Sequence, residues 1–204
     1  MNSIRRYAVN EIFYSLQGEG FHTGTPAVFV RFAGCNLSCP FCDTRFDVRM
    51  QLAAAEIVEQ VCSLYPRKGV PSGIASCYGR VLSSSPVVVL TGGEPSLQVD
   101  AALIEALHTA GFRIHIETNG TRVLPGEIDW VTCSPKDAPV ILTRMDELKV
   151  VFQGQDLEQY DRFDCANRFL QPCSNANVSE TVAAVMANPR WRLSLQTHVM
   201  ISIK

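Results

Sequence analysis

The run Pro86-Val87-Val88-Val89-Leu90 stops abruptly at Thr91-Gly92-Gly93-Glu94-Pro95. Five consecutive apolar residues offer no polar face to water, so the strand they form must be covered on both sides. Sheets of that kind are parallel and carry helices on their faces. "DAALIEALHTA" (100–110) reads as the covering helix, with Asp100 as N-cap and Gly111 at its end. Further strands are predicted at 27–32, 112–118, 129–133, 147–152, 168–173 and 191–197, and further helices at 51–65 and 178–188. Between 120 and 170 the only helical signal is a weak one at 155–162. A complete eight-fold barrel needs about 250 residues, and the chain has 204. The expectation is an α/β fold of one domain, 1–204: a partial, open barrel of about six parallel strands with fewer helices than strands. The Gly-, Ser- and Pro-rich stretch 66–86 reads as a long loop.

In such folds the chemistry collects where strands end. After the strand at 27–32 comes Gly34-Cys35-Asn36-Leu37-Ser38-Cys39-Pro40-Phe41-Cys42-Asp43-Thr44. The chain has eight cysteines, at 35, 39, 42, 62, 77, 133, 165 and 173. A disulfide framework of that size belongs to much shorter secreted chains. The five scattered cysteines read as small buried hydrophobes. The clustered three point to metal or catalysis in a reducing compartment. The start, "MNSIRRYAVNEIFYSLQGEG", lacks the apolar region of a signal peptide, and no apolar run reaches membrane-spanning length. A net charge of -2 gives no basic footprint for nucleic acid. A cytoplasmic protein with no membrane or nucleic-acid partner is expected. Structural zinc is closed by four ligands, and the triplet supplies three. An iron–sulfur cube with three protein ligands keeps one iron open to a substrate or cofactor. Spacing favours the cube and leaves zinc as the other reading.

The triplet C-x3-C-x2-C, with Phe41 before its last cysteine and "TGGEP" after the next strand, resembles the radical S-adenosylmethionine (SAM) superfamily. The fold implied is the open barrel of that superfamily. The fourth cluster position would then be filled by SAM, whose cleavage yields a 5′-deoxyadenosyl radical. More narrowly, "NEIFYSLQGEGFHTGTPAVFVRFAGCNLSCPFCDT" (10–44), "TGGEP" (91–95), "ETNGT" (117–121), "SPK" (134–136), "QP" (171–172) and "WRLSLQTH" (191–198) resemble the 7-carboxy-7-deazaguanine synthases nearly end to end. Stretch 62–86 is the part least covered. The resemblance implies a lyase of queuosine biosynthesis, a pathway of tRNA modification. Its reaction contracts the ring of 6-carboxy-5,6,7,8-tetrahydropterin to 7-carboxy-7-deazaguanine with loss of ammonia. The cofactors implied are a 4Fe-4S cluster, SAM and magnesium. Flavodoxin is the kind of electron donor implied, and a homodimer the assembly.

By the same resemblance Cys35, Cys39 and Cys42 hold the cluster. Thr44 ligates magnesium, with Asp43 as the alternative oxygen ligand. SAM is contacted from Phe41, Cys42, Asp43, Gly93, Glu94, Ser134, Pro135, Lys136, Gln171, Pro172, Cys173 and Ser174. Glu94 reads equally as a solvated acid at a helix start, and Lys136 either pairs with the SAM carboxylate or points to solvent. Substrate is contacted from Leu16, Gln17, Gly18, Arg31, Thr91, Glu117, Asn119, Gln196 and His198, with Arg31 suited to clamp a carboxylate. Two other classes compete: a radical SAM activase acting on a partner protein, and a zinc-binding interaction module.

Overall fold

The computed structural model describes residues 4–66 and 85–204. The loop expected over 66–86 therefore lies, but for its ends, outside the described residues. The parallel ladder begins with β2 (Pro26–Phe32) and β4 (Val87–Gly92), continues through β5 (Arg113–Thr118), β6 (Trp130–Cys133), β7 (Glu147–Phe152) and β8 (Asn167–Pro172), and ends at β9 (Arg192–Leu193). Two strands not expected from the sequence extend the other edge. β1 (Tyr7–Leu16) runs antiparallel to β2, and β3 (Met50–Leu52) antiparallel to β1. Among the described residues the order is β3-β1-β2-β4-β5-β6-β7-β8-β9, an open sheet of nine strands. Six full strands and the two-residue β9 make up the parallel part. The strand predicted at 191–197 is thus mostly irregular, because Ser194 and Gln196 turn their side chains into hydrogen bonds inside the molecule.

Alternation along each strand divides the sheet into two faces. Val28, Val30, Phe32, Val88, Leu90, Ile114 and Ile116 face outward and pack on Ile57 and Val61 of α1 (Ala54–Leu64) and on Leu103, Ile104 and Leu107 of α2 (Ala101–Thr109). Each such side chain, once fully buried, contributes about 1.5–3 kcal/mol. Leu148, Val150, Phe152 and Leu170 form a second outer core with Tyr160, Phe163 and Trp191, against α3 (Val178–Ala187). The weak signal at 155–162 is a single 3-10 turn, Glu158–Tyr160. Asp100 caps α2 by accepting from Leu103 N at 3.1 Å, and also holds Tyr7 Oη at 2.7 Å and Arg5 Nε at 2.8 Å. One cap therefore ties the helix to β1. Among the described residues no helix is long and apolar enough to cross a membrane.

The residues between the outward positions face inward. At the β2–β4 side they include the apolar group Ala27, Phe29, Val87 and Val89, with Phe13 stacked on Phe29. Farther along they are His115, Glu117, Glu147, Lys149 and Gln171, all in strands whose outward neighbours are apolar. The turn of the β1–β2 hairpin enters this concave side. His22 packs on His115 and Trp130 with ring centroids 4.4 Å apart in each case, and Phe21 N donates to Glu147 at 3.1 Å. These contacts fall at the early residues of β6 and β7 and mid-strand in β5, so the hairpin stoppers the barrel from below.

Candidate active site

The cysteine loop leaves β2 through Gly34, whose φ of 82° turns the chain in a way L side chains rarely adopt. It is tied back by Gly34 N to Phe46 O (2.9 Å), Arg49 N to Val9 O (3.1 Å) and Asn10 Nδ2 to Asp47 O (2.8 Å). Cys42 N donates to Cys39 O at 3.1 Å, closing a tight turn between the second and third cysteines. Two other strand ends pack on this loop. Gly93 lies so close that a Cβ there would sit 2.0 Å from Gly34 O. The turn 119–121 reaches it through Asn36, which accepts from Asn119 Nδ2 at 3.1 Å and donates to Thr121 Oγ1 at 2.8 Å.

A cavity of about 600 Å³ opens beneath the loop, within the range of small-molecule sites. Cys35, Cys39 and Cys42 line it, and all three are free of disulfides. Burial pushes the Cys39 thiol up, the Lys136 charge pulls it back, and the Cys42 and Cys35 sulfurs push it up again, so the three sulfurs share one electrostatic neighbourhood. Among the described residues no three His, Cys, Asp or Glu side chains converge on one metal ion. Three unpaired thiols on a close-packed loop beside a cavity suit a cluster with one iron left open.

Most of the residues predicted from sequence meet in this cavity. From the β1 end come Leu16, Gln17 and Gly18, and from β2 and β4 come Arg31, Thr91 and Gly93. Arg31 and Thr91 are register neighbours. Phe41, Asp43 and Thr44 line the loop side, and Glu117, Asn119, Ser134 and Lys136 the middle. Gln171, Pro172, Cys173, Ser174, Gln196 and His198 close the far side. Gly18 is required where it stands, since a Cβ would lie 2.0 Å from His198 Nδ1.

Two predicted residues are placed elsewhere. Pro135 is buried behind the wall. Glu94 is 0% exposed, and its carboxylate accepts from Thr118 Oγ1 (2.6 Å), Asn119 N (2.7 Å) and Ser96 N (3.0 Å). The reading of Glu94 as a solvated acid is therefore corrected: a buried carboxylate must be paired, and this one joins β4 to β5 while Gly93 presents the turn to the cavity. Lys136 likewise does not point to solvent. Its Nζ donates to Ser134 Oγ at 2.6 Å and lies 5.8 Å from the Phe41 ring centre, and burial first, then the nearby Lys149, pull its pKa down.

The floor contains residues, Glu19 and Lys149, that no sequence motif singles out. Lys149 Nζ bridges Glu19 Oε2 at 2.5 Å and Glu117 Oε2 at 2.7 Å. Gln17 Nε2 donates to Glu117 Oε1 at 2.8 Å, and Gln171 and Gln196 donate to Glu19 Oε1 at 3.1 and 2.9 Å. Gln196 Nε2 also reaches Asp43 Oδ2 at 3.0 Å, and Thr44 Oγ1 lies 3.3 Å from Asp43 Oδ1. Burial alone would raise the Glu19 carboxyl, but the charge and hydrogen bond of Lys149 hold it at about 2. Near the mouth, Arg31 donates through Nε to Glu11 at 3.0 Å, which leaves the four N–H bonds of its Nη groups for another acceptor. Lys149 stood in the sequence as a charge in the middle of "ELKVVF", and that was the available signal.

Comparison with known proteins agrees with this geometry. The profile of the Radical SAM superfamily matches residues 29–185. The chain is 53% identical over 197 residues to the 7-carboxy-7-deazaguanine synthase of Bacteroides thetaiotaomicron, covering 96% of this chain and 98% of that one. It is 41% identical over 215 residues to the enzyme of the same name from Bordetella pertussis, covering 97% and 99%. Among solved structures, QueE from Escherichia coli superposes with a TM-score of 0.73 at 28% identity, covering 95% of each chain.

Proposed function

Since the chain belongs to the radical SAM superfamily and, within it, to the 7-carboxy-7-deazaguanine synthases, we propose that the cavity under the cysteine loop is its active site. The enzyme is a lyase that contracts 6-carboxy-5,6,7,8-tetrahydropterin to 7-carboxy-7-deazaguanine, using a 4Fe-4S cluster, SAM and magnesium. Bound there, the cluster and SAM supply the one-electron chemistry that starts the reaction, and the protein binds, orients and shields.

Cys35, Cys39 and Cys42 would hold the cluster. Phe41, Gly93, Ser134, Lys136 and the 171–174 strand end surround the space beside it and take SAM, with Lys136 offering its ammonium to the amino acid carboxylate. Glu94 and Pro135 serve from behind, holding the strand ends that carry Gly93 and Lys136. Thr44 and Asp43 together supply oxygens for magnesium, Thr44 through lone pairs its bond to Asp43 leaves unused. Arg31 clamps the substrate carboxylate bidentately through its Nη groups, with Thr91 beside it. Gln17, Glu117, Gln196 and His198 form the pterin pocket, and Leu16, Gly18 and Asn119 shape it. The hairpin stopper at the bottom keeps water from a reactive intermediate.

The chain acts as one domain over 1–204, in the cytoplasm, and as a homodimer. Exposed Val199, Met200 and Ile201 support the dimer. An external reductant such as flavodoxin feeds the cluster, for which the exposure of Cys42 leaves a short path.

The observation that carries this reading is the triplet of free thiols opening onto one cavity with a buried, acceptor-rich floor. Anoxically reconstituted protein, given SAM, a strong reductant, magnesium and 6-carboxytetrahydropterin, is expected to form 7-carboxy-7-deazaguanine, detected by mass spectrometry. Absence of that product from protein whose cluster is fully loaded overturns the assignment.

A further inference from the structure

We propose that Lys149 is the positioning residue for the pterin: clamped between Glu19 and Glu117, its ammonium fixes the two carboxylates as hydrogen-bond acceptors facing the donor edge of the substrate. This deepens the functional reading above and rests on it. Lys149 stands on the inner face of β7, is 3% exposed, and is flanked in the chain by the outward core residues Leu148 and Val150. An ammonium so deep in an apolar strand is held there by its partners. It has two, at 2.5 and 2.7 Å, one on the hairpin and one on β5.

The acceptor count separates the two carboxylates. A carboxylate has about four lone-pair sites. Glu19 uses three, on Lys149, Gln171 and Gln196. Glu117 uses two, on Lys149 and Gln17, and keeps the others for the cavity it lines. The pyrimidine edge of a pterin presents ring N–H and amino N–H donors. An ionised Glu117 meets them with acceptors only, whereas a protonated one would set a donor against a donor. Two close carboxylates do not both stay ionised without a cation between them. Lys149 thus fixes where Glu117 points, and its charge and hydrogen bond hold the Glu19 carboxyl low beside it. Other charges face the group as well: Glu147 on the same strand, Lys136 on the neighbouring wall, and His198 near Glu19.

The test uses the full reconstituted enzyme and Lys149→Gln. Cluster absorbance, and the change SAM makes in the EPR spectrum of the reduced cluster, are expected to match wild type. KM for the pterin is expected to rise about tenfold or more, kcat to fall less, and the acid limb of kcat/KM to move up by about one pH unit or more, because one carboxyl now takes a proton. Unchanged KM and an unchanged acid limb, with wild type making deazapurine, overturn the proposal. If Lys149→Gln does not load its cluster, Lys149→Met/Glu19→Gln decides, since it removes one charge of each sign. It is expected to restore the acid limb while KM stays raised, and a wild-type KM in it overturns the proposal. If wild type itself makes no deazapurine, the functional reading fails first and this inference falls with it.

Discussion

Glu147 shows how the hairpin stopper is coupled to protonation. It is 2% exposed, accepts from Phe21 N at 3.1 Å, and would collide with a Cβ on Gly20, whose φ of 66° suits glycine. Burial raises its carboxyl from 4.5 to about 7, against the pull of Lys149 and with a push from Glu117. The folded state therefore binds this proton more tightly than the unfolded state does. The resulting stability is full below about 4.5 and is lost as pH rises through about 7. Glu147→Gln keeps an acceptor for Phe21 and removes the charge. Thermal unfolding is expected to show the variant melting several degrees above wild type at pH 8, with the gap closing toward pH 5. An equal gap at both values removes Glu147 as the cause. At this scale the sequence was legible where a motif marked a strand end, as at Cys35, Gly93 or Gln171. It was not legible where one residue's meaning lay in a distant partner. Motif resemblance makes Gln17, Gln171 and Gln196 ligands. The structure also makes them donors to Glu19 and Glu117, across 100 to 177 positions of sequence. No local pattern records such a pairing.

The turn after β4 does for its element what Glu147 does for the hairpin. Gly93 N donates to Phe32 O and Glu94 N to Gly34 O, so the backbone of this turn forms part of the bed of the cysteine loop. Gly93→Ala puts a methyl 2.0 Å from Gly34 O, a backbone atom that cannot swing aside. The loop must shift, and iron content per chain after reconstitution is expected to fall several-fold while far-ultraviolet circular dichroism stays close to wild type. Full iron loading in the variant shows that the turn does not position the loop. The strands bounded by such turns are readable in the sequence from their apolar positions: "PVVVL" is apolar on both faces, and "ELKVVF" keeps Leu148, Val150 and Phe152 on its outward face. β1 was not. Its pairing with β2 slips at a bulge between Val9 and Glu11, which breaks the two-residue period a strand would display. β3 has three residues, too few for any period, and β9 has two. The 191–197 stretch looked like a strand because Trp191, Leu193 and Leu195 alternate, but after Leu193 it breaks off to seal the cavity with Gln196 and His198.

At the scale of the whole molecule, the open sheet among the described residues ends in the three-residue β3 on one side and the two-residue β9 on the other, and β3 pairs with only Tyr7, Ala8 and Val9 of β1. On the homodimer proposed above, sedimentation equilibrium of the loaded enzyme is expected to give twice the chain mass of 22.5 kDa. A mass of one chain rules the dimer out. The sheet's parallel architecture followed from composition and order of runs, whereas the sealing of its interior did not, because it depends on bonds between residues far apart in the sequence. Gly20 N reaches Ser194 Oγ over 174 positions, and Thr197 Oγ1 reaches Gly18 O over 179. This has a consequence for the nascent protein. At about 5–20 residues per second, the ribosome delivers Gln196 roughly 8–30 s after Cys42. Throughout that interval the thiols are already made and the far wall of their chamber is not. Iron and sulfide delivered during synthesis would meet an open vessel, which Gln196 and His198 close only once they have emerged.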